Sequence, residues 1–210
     1  MTGATDSETE VPFELLDRTF RADGPEAALD RLVELLEESG PPRALLDALL
    51  LKARHELGLP PVQDGPLSDL PEPARSQFEE RYVAAIRRVG GKLLDAGDIP
   101  GAWPYFRLLG EKEPVAAALD AYQAGEGDER LGQVVEVAFN QGAHPRRGFE
   151  LILGHYGACS AITAFEHLPA DEAVRVPFAT ALVPPLHDHL TFSLRAEIAR
   201  RGQVVPPECP

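Results

Sequence analysis

From Phe13 onward, apolar residues recur at three- and four-residue intervals, and Gly–Pro joints cut the runs again and again. That spacing is one helical turn, so each run lays a stripe of apolar side chains along one helix face, which has to find another helix. Phe13, Leu16 and Phe20 form the first stripe. After Asp23-Gly24-Pro25, Leu29, Leu32, Val33 and Leu36 form the second. Ser39-Gly40-Pro41-Pro42 stops that helix, and a third begins near Arg43 with Leu45, Leu46, Leu49, Leu50, Ala53 and Leu57. A longer pattern runs from about Ala74 to Ala96 through Phe78, Tyr82, Ile86, Val89 and Leu93. Gly90 and Gly91 sit inside it. Glycine costs a helix interior about 1 kcal/mol against alanine, which predicts a neighbouring helix packed closely at that point. The pattern predicts an all-α protein of antiparallel helix hairpins with short joints.

Along the chain the composition divides as follows. Residues 1–10 are small, polar and acidic, the composition of a disordered tail. Residues 11–58 hold the first helical hairpins. Residues 59–73, dense in Pro, Gly and Asp, form a linker. Residues 74–203 make a helical-repeat domain. Within it, VVEVAF at 134–139 has the composition of a strand but no evident partner strand, so helix is expected. Pro185 to Gly202 closes the domain with Leu186, Leu190, Leu194 and Ile198 at four-residue spacing and Gly202 as C-terminal cap. Residues 204–210, Pro-rich, have the character of a linker to a further domain of a longer protein.

Charge excludes several functions. With Lys+Arg 20 against Asp+Glu 34, the net charge is −14. Such a surface repels nucleic acid and anionic membrane, whose binding rests on neutralising phosphate. No apolar run is long enough to span a bilayer, and the first residues lack the basic and apolar segments of a secretory signal. Two cysteines, Cys159 and Cys209, give no disulfide framework, so a reduced, cytoplasmic setting is expected. No nucleotide, metal or nucleophile motif implies a cofactor.

Two segments resemble each other. Asp95 to Glu113 reads DAGDIPGAWPYFRLLGEKE, and Asn140 to Ala158 reads NQGAHPRRGFELILGHYGA. Gly97 aligns with Gly142 and Pro100 with Pro145, and Leu29 to Leu36 behind Gly24-Pro25 is a looser copy. Helical units recurring at about 45 residues mark an α-solenoid. The small-residue helix Val89-Gly90-Gly91, the turn Ala96-Gly97-Asp98 and the aromatic helix Ala102 to Phe106 together resemble a tetratricopeptide-like helical repeat over Phe78 to His167. The chain departs from that family in lacking its strict period and in placing Pro104 where the family keeps a helical residue. The resemblance implies a short solenoid of stacked helix hairpins that binds a protein or peptide partner.

Four candidate binding residues follow: Arg146 and Arg147, a basic pair at a helix start where the dipole disfavours it, and Trp103 and Tyr105 in the aromatic cluster. The pair is expected at the solvent-facing rim of a groove. Trp103, the only tryptophan, is expected in the core, with a ligand box as the other reading. A rival constellation for a metal- or Cys/His-dependent enzyme is His144, His155, Cys159 and His167. His155 and Cys159 would share a face on a continuous helix. Gly154 and Gly157, however, predict a joint there, with Cys159 buried beside Ile162 and Phe165 in the next helix. His187 and His189, two apart, point roughly 200° from each other on a helix and share no metal.

Overall fold

The computed structural model describes residues 13–62, 65–66, 69–125 and 127–202. The tail at 1–10 and the Pro-rich end at 204–210 lie outside the described residues. The described chain is all-helical, without a strand. It forms two compact units, residues 1–118 and 119–210.

The first unit contains α1 (Phe13–Ser39), α2 (Pro42–Glu56), α3 (Ala74–Asp95) and α4 (Ile99–Leu109). The expected break at Gly24 is present. Its φ of 88° and ψ of −180° divide α1 into two limbs, a conformation glycine adopts without the Cβ clash that bars other residues. Packing is sequential: α1 lies on α2, α2 on α3 and α3 on α4. Val33, Leu36, Leu45, Ala48 and Val89 form a buried cluster, with Leu32, Leu49, Leu93 and Tyr105 against it. Lys92 reaches the last turn of α1 and donates to the Glu37 carbonyl and to the Leu36 carbonyl, which also accepts the Gly40 N–H.

α2 and α3, on either side of residues 59–73, pack on each other within the first unit. A buried charge accounts for part of this. Arg54, only 6% exposed, donates to the Pro60 carbonyl and lays its guanidinium 5.4 Å from the centre of the Phe78 ring. It ties the exit of α2 both to the following segment and to α3.

Gly90 has the close neighbour its sequence position predicts. A Cβ there would stand 2.8 Å from the Phe106 ring of α4, whereas one at Gly91 would meet nothing within 4 Å. Gly90→Ala should therefore cost about 1–3 kcal/mol through overpacking, and Gly91→Ala should gain up to about 1 kcal/mol of helix propensity. Thermal unfolding of the two variants checks this. Equal shifts would mean that α3 and α4 do not approach so closely.

In α4, Asp98 is the N-cap and its carboxylate accepts the Gly101 N–H at 2.9 Å. Gly110 closes the helix in the left-handed conformation. The helix starts at Ile99, so Pro104 lies inside it. The proline ring is exposed, where the carbonyl it leaves unpaired can meet water.

The second unit contains α6 (Leu131–Val135), a π-helical turn (Glu136–Asn140), α7 (Pro145–Glu166) and α8 (Glu172–Arg200). α5 (Glu113–Ala121) carries the boundary between the units. The valine-rich run is helical, as expected, but ends in the π turn. Phe139, Phe149 and Phe178 pack ring against ring, with centroids 5.0–6.4 Å apart, and form the aromatic centre of this unit. The last helix differs from expectation. It begins at Glu172, not near Pro185, and runs through Pro177, Pro184 and Pro185. Its expected stripe is largely uncovered, with Leu190 60% and Leu194 62% exposed.

Candidate functional site

The structure scatters the residues of the rival metal or Cys/His site. His144 is the N-cap of α7. Its Nδ1 accepts the Arg147 N–H at 3.4 Å, which leaves the ring proton on Nε2, 3.1 Å from Asp120 Oδ1. One ring nitrogen thus caps α7 and the other faces Asp120 of α5. His155 and Cys159 lie on either side of Gly157, where φ is 81° and α7 breaks. The expected joint exists, and Gly157 makes it. Cys159 is exposed rather than buried, and Ala161 takes the buried position after the break. Ile162 is 37% exposed, so it too is not core. His167 caps the end of α7 and is exposed, as are His187 and His189. Among the described residues no three His, Cys, Asp or Glu side chains are grouped to hold a metal.

The arginine pair separates. Arg146 is 79% exposed and pairs with Glu150 one turn along. Arg147 departs from expectation: its side chain is 20% exposed and donates from Nε to the Leu119 carbonyl at 3.1 Å and from a terminal nitrogen to the Tyr122 carbonyl at 2.7 Å. These carbonyls end α5, where a cation offsets the helix dipole. Arg147→Ala should therefore cost about 1.5–3 kcal/mol, and Arg146→Ala less than about 1 kcal/mol. Urea unfolding of each variant measures the difference. Equal small losses would place Arg147 at the solvent-facing rim after all.

The segment that follows is closed by a contact the sequence did not signal. The Tyr122 hydroxyl donates to Asp128 at 2.6 Å, and Asp128 also accepts the Arg130 N–H at 2.9 Å. Burial, and then the Asp128 carboxylate, push the Tyr122 phenol up to about 12. The Asp128 carboxyl is held below its usual range, chiefly by the Tyr122 hydrogen bond.

Trp103 is 2% exposed and belongs to the core, as expected. Tyr105 is half-buried against the first unit's core, and burial raises its phenol above the usual range. Neither lines the large apolar groove of the first unit.

That groove lies in the first unit and has a volume of about 600 Å³, within the range of ligand sites. The first limb of α1 gives it Phe13, Leu16 and Phe20. Pro25, Ala28, Leu29 and Leu32 of the second limb, Leu51 of α2, and Leu59 and Pro61 after α2 complete its apolar lining. Asp17 and His55 are its polar groups. Its form follows from Gly24: the limb turns there, so its stripe covers the hairpin only in part, and Phe13 stays 78% and Phe20 54% exposed. Isolated apolar side chains on a surface are ordinary, whereas a contiguous apolar groove marks a binding surface. A second cleft of about 310 Å³ is lined by Lys52, Arg81 and Arg88, but each is paired with a carboxylate of the chain, Asp30, Glu56 and Glu37 in turn. No described helix is long and apolar enough to cross a membrane.

No family model, curated protein or solved structure matches this chain.

Proposed function

We propose that this chain is a helical-repeat, protein-binding module that takes an apolar helical segment into the groove of its first unit. The groove carries this reading: ten apolar residues from α1, α2 and the segment after α2 line about 600 Å³, with Phe13 and Phe20 among them exposed. A helix presenting apolar residues at three- and four-residue spacing fits such a groove, as in other helix-in-groove complexes. The tetratricopeptide-like solenoid is part of the same proposal. It is supported by the sequential packing of α1 to α4 and by the matching left-handed glycines, Gly97 and Gly142, that precede α4 and α7. With two cysteines and no disulfide framework, the module is assigned to the cytoplasm. The rival enzyme reading needs His144, His155, Cys159 and His167 to converge, and their positions on α7 give it no support.

The test is fluorescence anisotropy with a labelled amphipathic helical peptide bearing Leu and Phe at i, i+3 and i+7. The wild-type chain should bind it. Phe20→Asp and Leu59→Asp, each removing one apolar wall, should weaken binding about 10- to 100-fold, the equivalent of one lost apolar side chain. Equal binding by all three proteins would sink the groove as the site.

A further inference from the structure

We infer that the groove's partner is a second copy of this chain, joined through the first limb of α1 in antiparallel pairing. The inference rests on the groove reading above and names its occupant. Residues 14–21 read ELLDRTFR. About the midpoint between Asp17 and Arg18 the charges are opposite in sign: Glu14 and Asp17 precede it, Arg18 and Arg21 follow it. These four sit at i, i+3, i+4 and i+7 and so share one stripe of the limb. The apolar stripe of Phe13, Leu16 and Phe20 runs beside it. This is the arrangement of a helix-pairing seam with flanking charges that set orientation.

Two limbs related by a two-fold axis run antiparallel. Glu14 of each copy then lies opposite Arg21 of the other, and Asp17 opposite Arg18. Parallel pairing would set like charges against each other, so the pattern selects the antiparallel form. Asp23 lies beyond the paired stretch. The same four residues cancel in charge, whereas the whole chain carries −14. Two acidic molecules can therefore meet on this face without the repulsion that opposes contact elsewhere. A basic partner would find no excess negative charge there.

In the single chain, Arg21 pairs with Asp17 at 2.9 Å, but Arg21 is 77% and Asp17 39% exposed, so both remain open to a facing helix. The apolar side is complementary as well. A cavity of about 150 Å³ holds one benzene-sized group, so a groove of about 600 Å³ has room for roughly four. The second copy brings Phe13 and Phe20, both largely exposed in the single chain. Since a two-fold interface is self-complementary, each copy gives its rings and receives the other's.

The test is sedimentation equilibrium of the full 210-residue chain in three forms: wild type, Glu14→Arg with Asp17→Arg, and Arg18→Glu with Arg21→Glu. The substituted side chains are on the surface, and circular dichroism checks that the fold is kept. Wild type should sediment at twice the 22.8 kDa chain mass, with dimer lost as salt rises. Each variant alone should dissociate at least about tenfold more readily. An equimolar mixture of the two variants should recover the dimer, which damage to folding could not produce. A wild type that remains at 22.8 kDa, or a mixture that stays monomeric, overturns the inference. If the monomer still binds the labelled apolar peptide, the second copy is excluded as partner and the groove reading stands. If it binds neither, both fall.

Discussion

Replacing Trp103 by alanine should destabilise the first unit by about 3–5 kcal/mol, the cost of emptying a core site of a large ring. The ring is 2% exposed and sits on α4, the helix whose Phe106 lies against Gly90 of α3. Its indole nitrogen is buried without an acceptor. Leaving such a donor unsatisfied costs about 1–3 kcal/mol. Trp103→Phe should therefore cost clearly less than Trp103→Ala, because it removes the orphan donor while keeping most of the ring. Urea unfolding followed by far-ultraviolet circular dichroism separates the three proteins. Unchanged stability of the alanine variant would place the ring at a surface and make it a binding residue. A phenylalanine variant as unstable as the alanine variant would mean that the indole nitrogen has a partner.

The second large effect is expected at Gly148. A Cβ there would lie 2.7 Å from the Phe139 backbone nitrogen and 3.0 Å from the Ala138 carbonyl carbon. Backbone cannot rotate aside as a side chain can, so α7 would have to shift off the π turn. Phe149, the next residue, would move with it and open the contacts with Phe139 and Phe178. Gly148→Val should cost about 3 kcal/mol, the upper end of ordinary overpacking. Gly154→Val makes the control, since a Cβ there meets nothing within 4 Å. Near-ultraviolet circular dichroism during urea unfolding follows both variants. Similar losses at the two positions would show that α7 and the π turn are not in close contact.

Much of the first unit was legible because its determinants are local. Periodic apolar residues placed α2 and α3, and Gly–Pro pairs placed the breaks. Gly90 announced a close helix neighbour because only such a neighbour compensates its cost. The groove was not legible for the same reason that the helices were. Phe13, Leu16 and Phe20 read as a core stripe, and periodicity does not show how completely a stripe is covered. The angle at Gly24 decides that, and it is a property of one φ/ψ pair. Arg147 escaped for a related reason. From sequence it is one of two adjacent arginines, but one helical step turns its side chain from solvent toward the end of α5. The charge pattern of ELLDRTFR was there to be read, yet it acquires meaning only once the limb is known to be uncovered. Cys159 was misplaced because the backbone angles at Gly157, which spacing does not show, decide which side of the following helix is covered.

The most direct test of the groove as the recognition site is a methyl-resolved nuclear magnetic resonance titration of the chain with the apolar helical peptide. The prediction is that the methyl signals of Leu16, Leu29, Leu32, Leu51 and Leu59 shift together and saturate with the peptide, while Leu151 and Ile152 of the second unit stay in place. Shifts confined to the second unit, or none at saturating peptide, would contradict it.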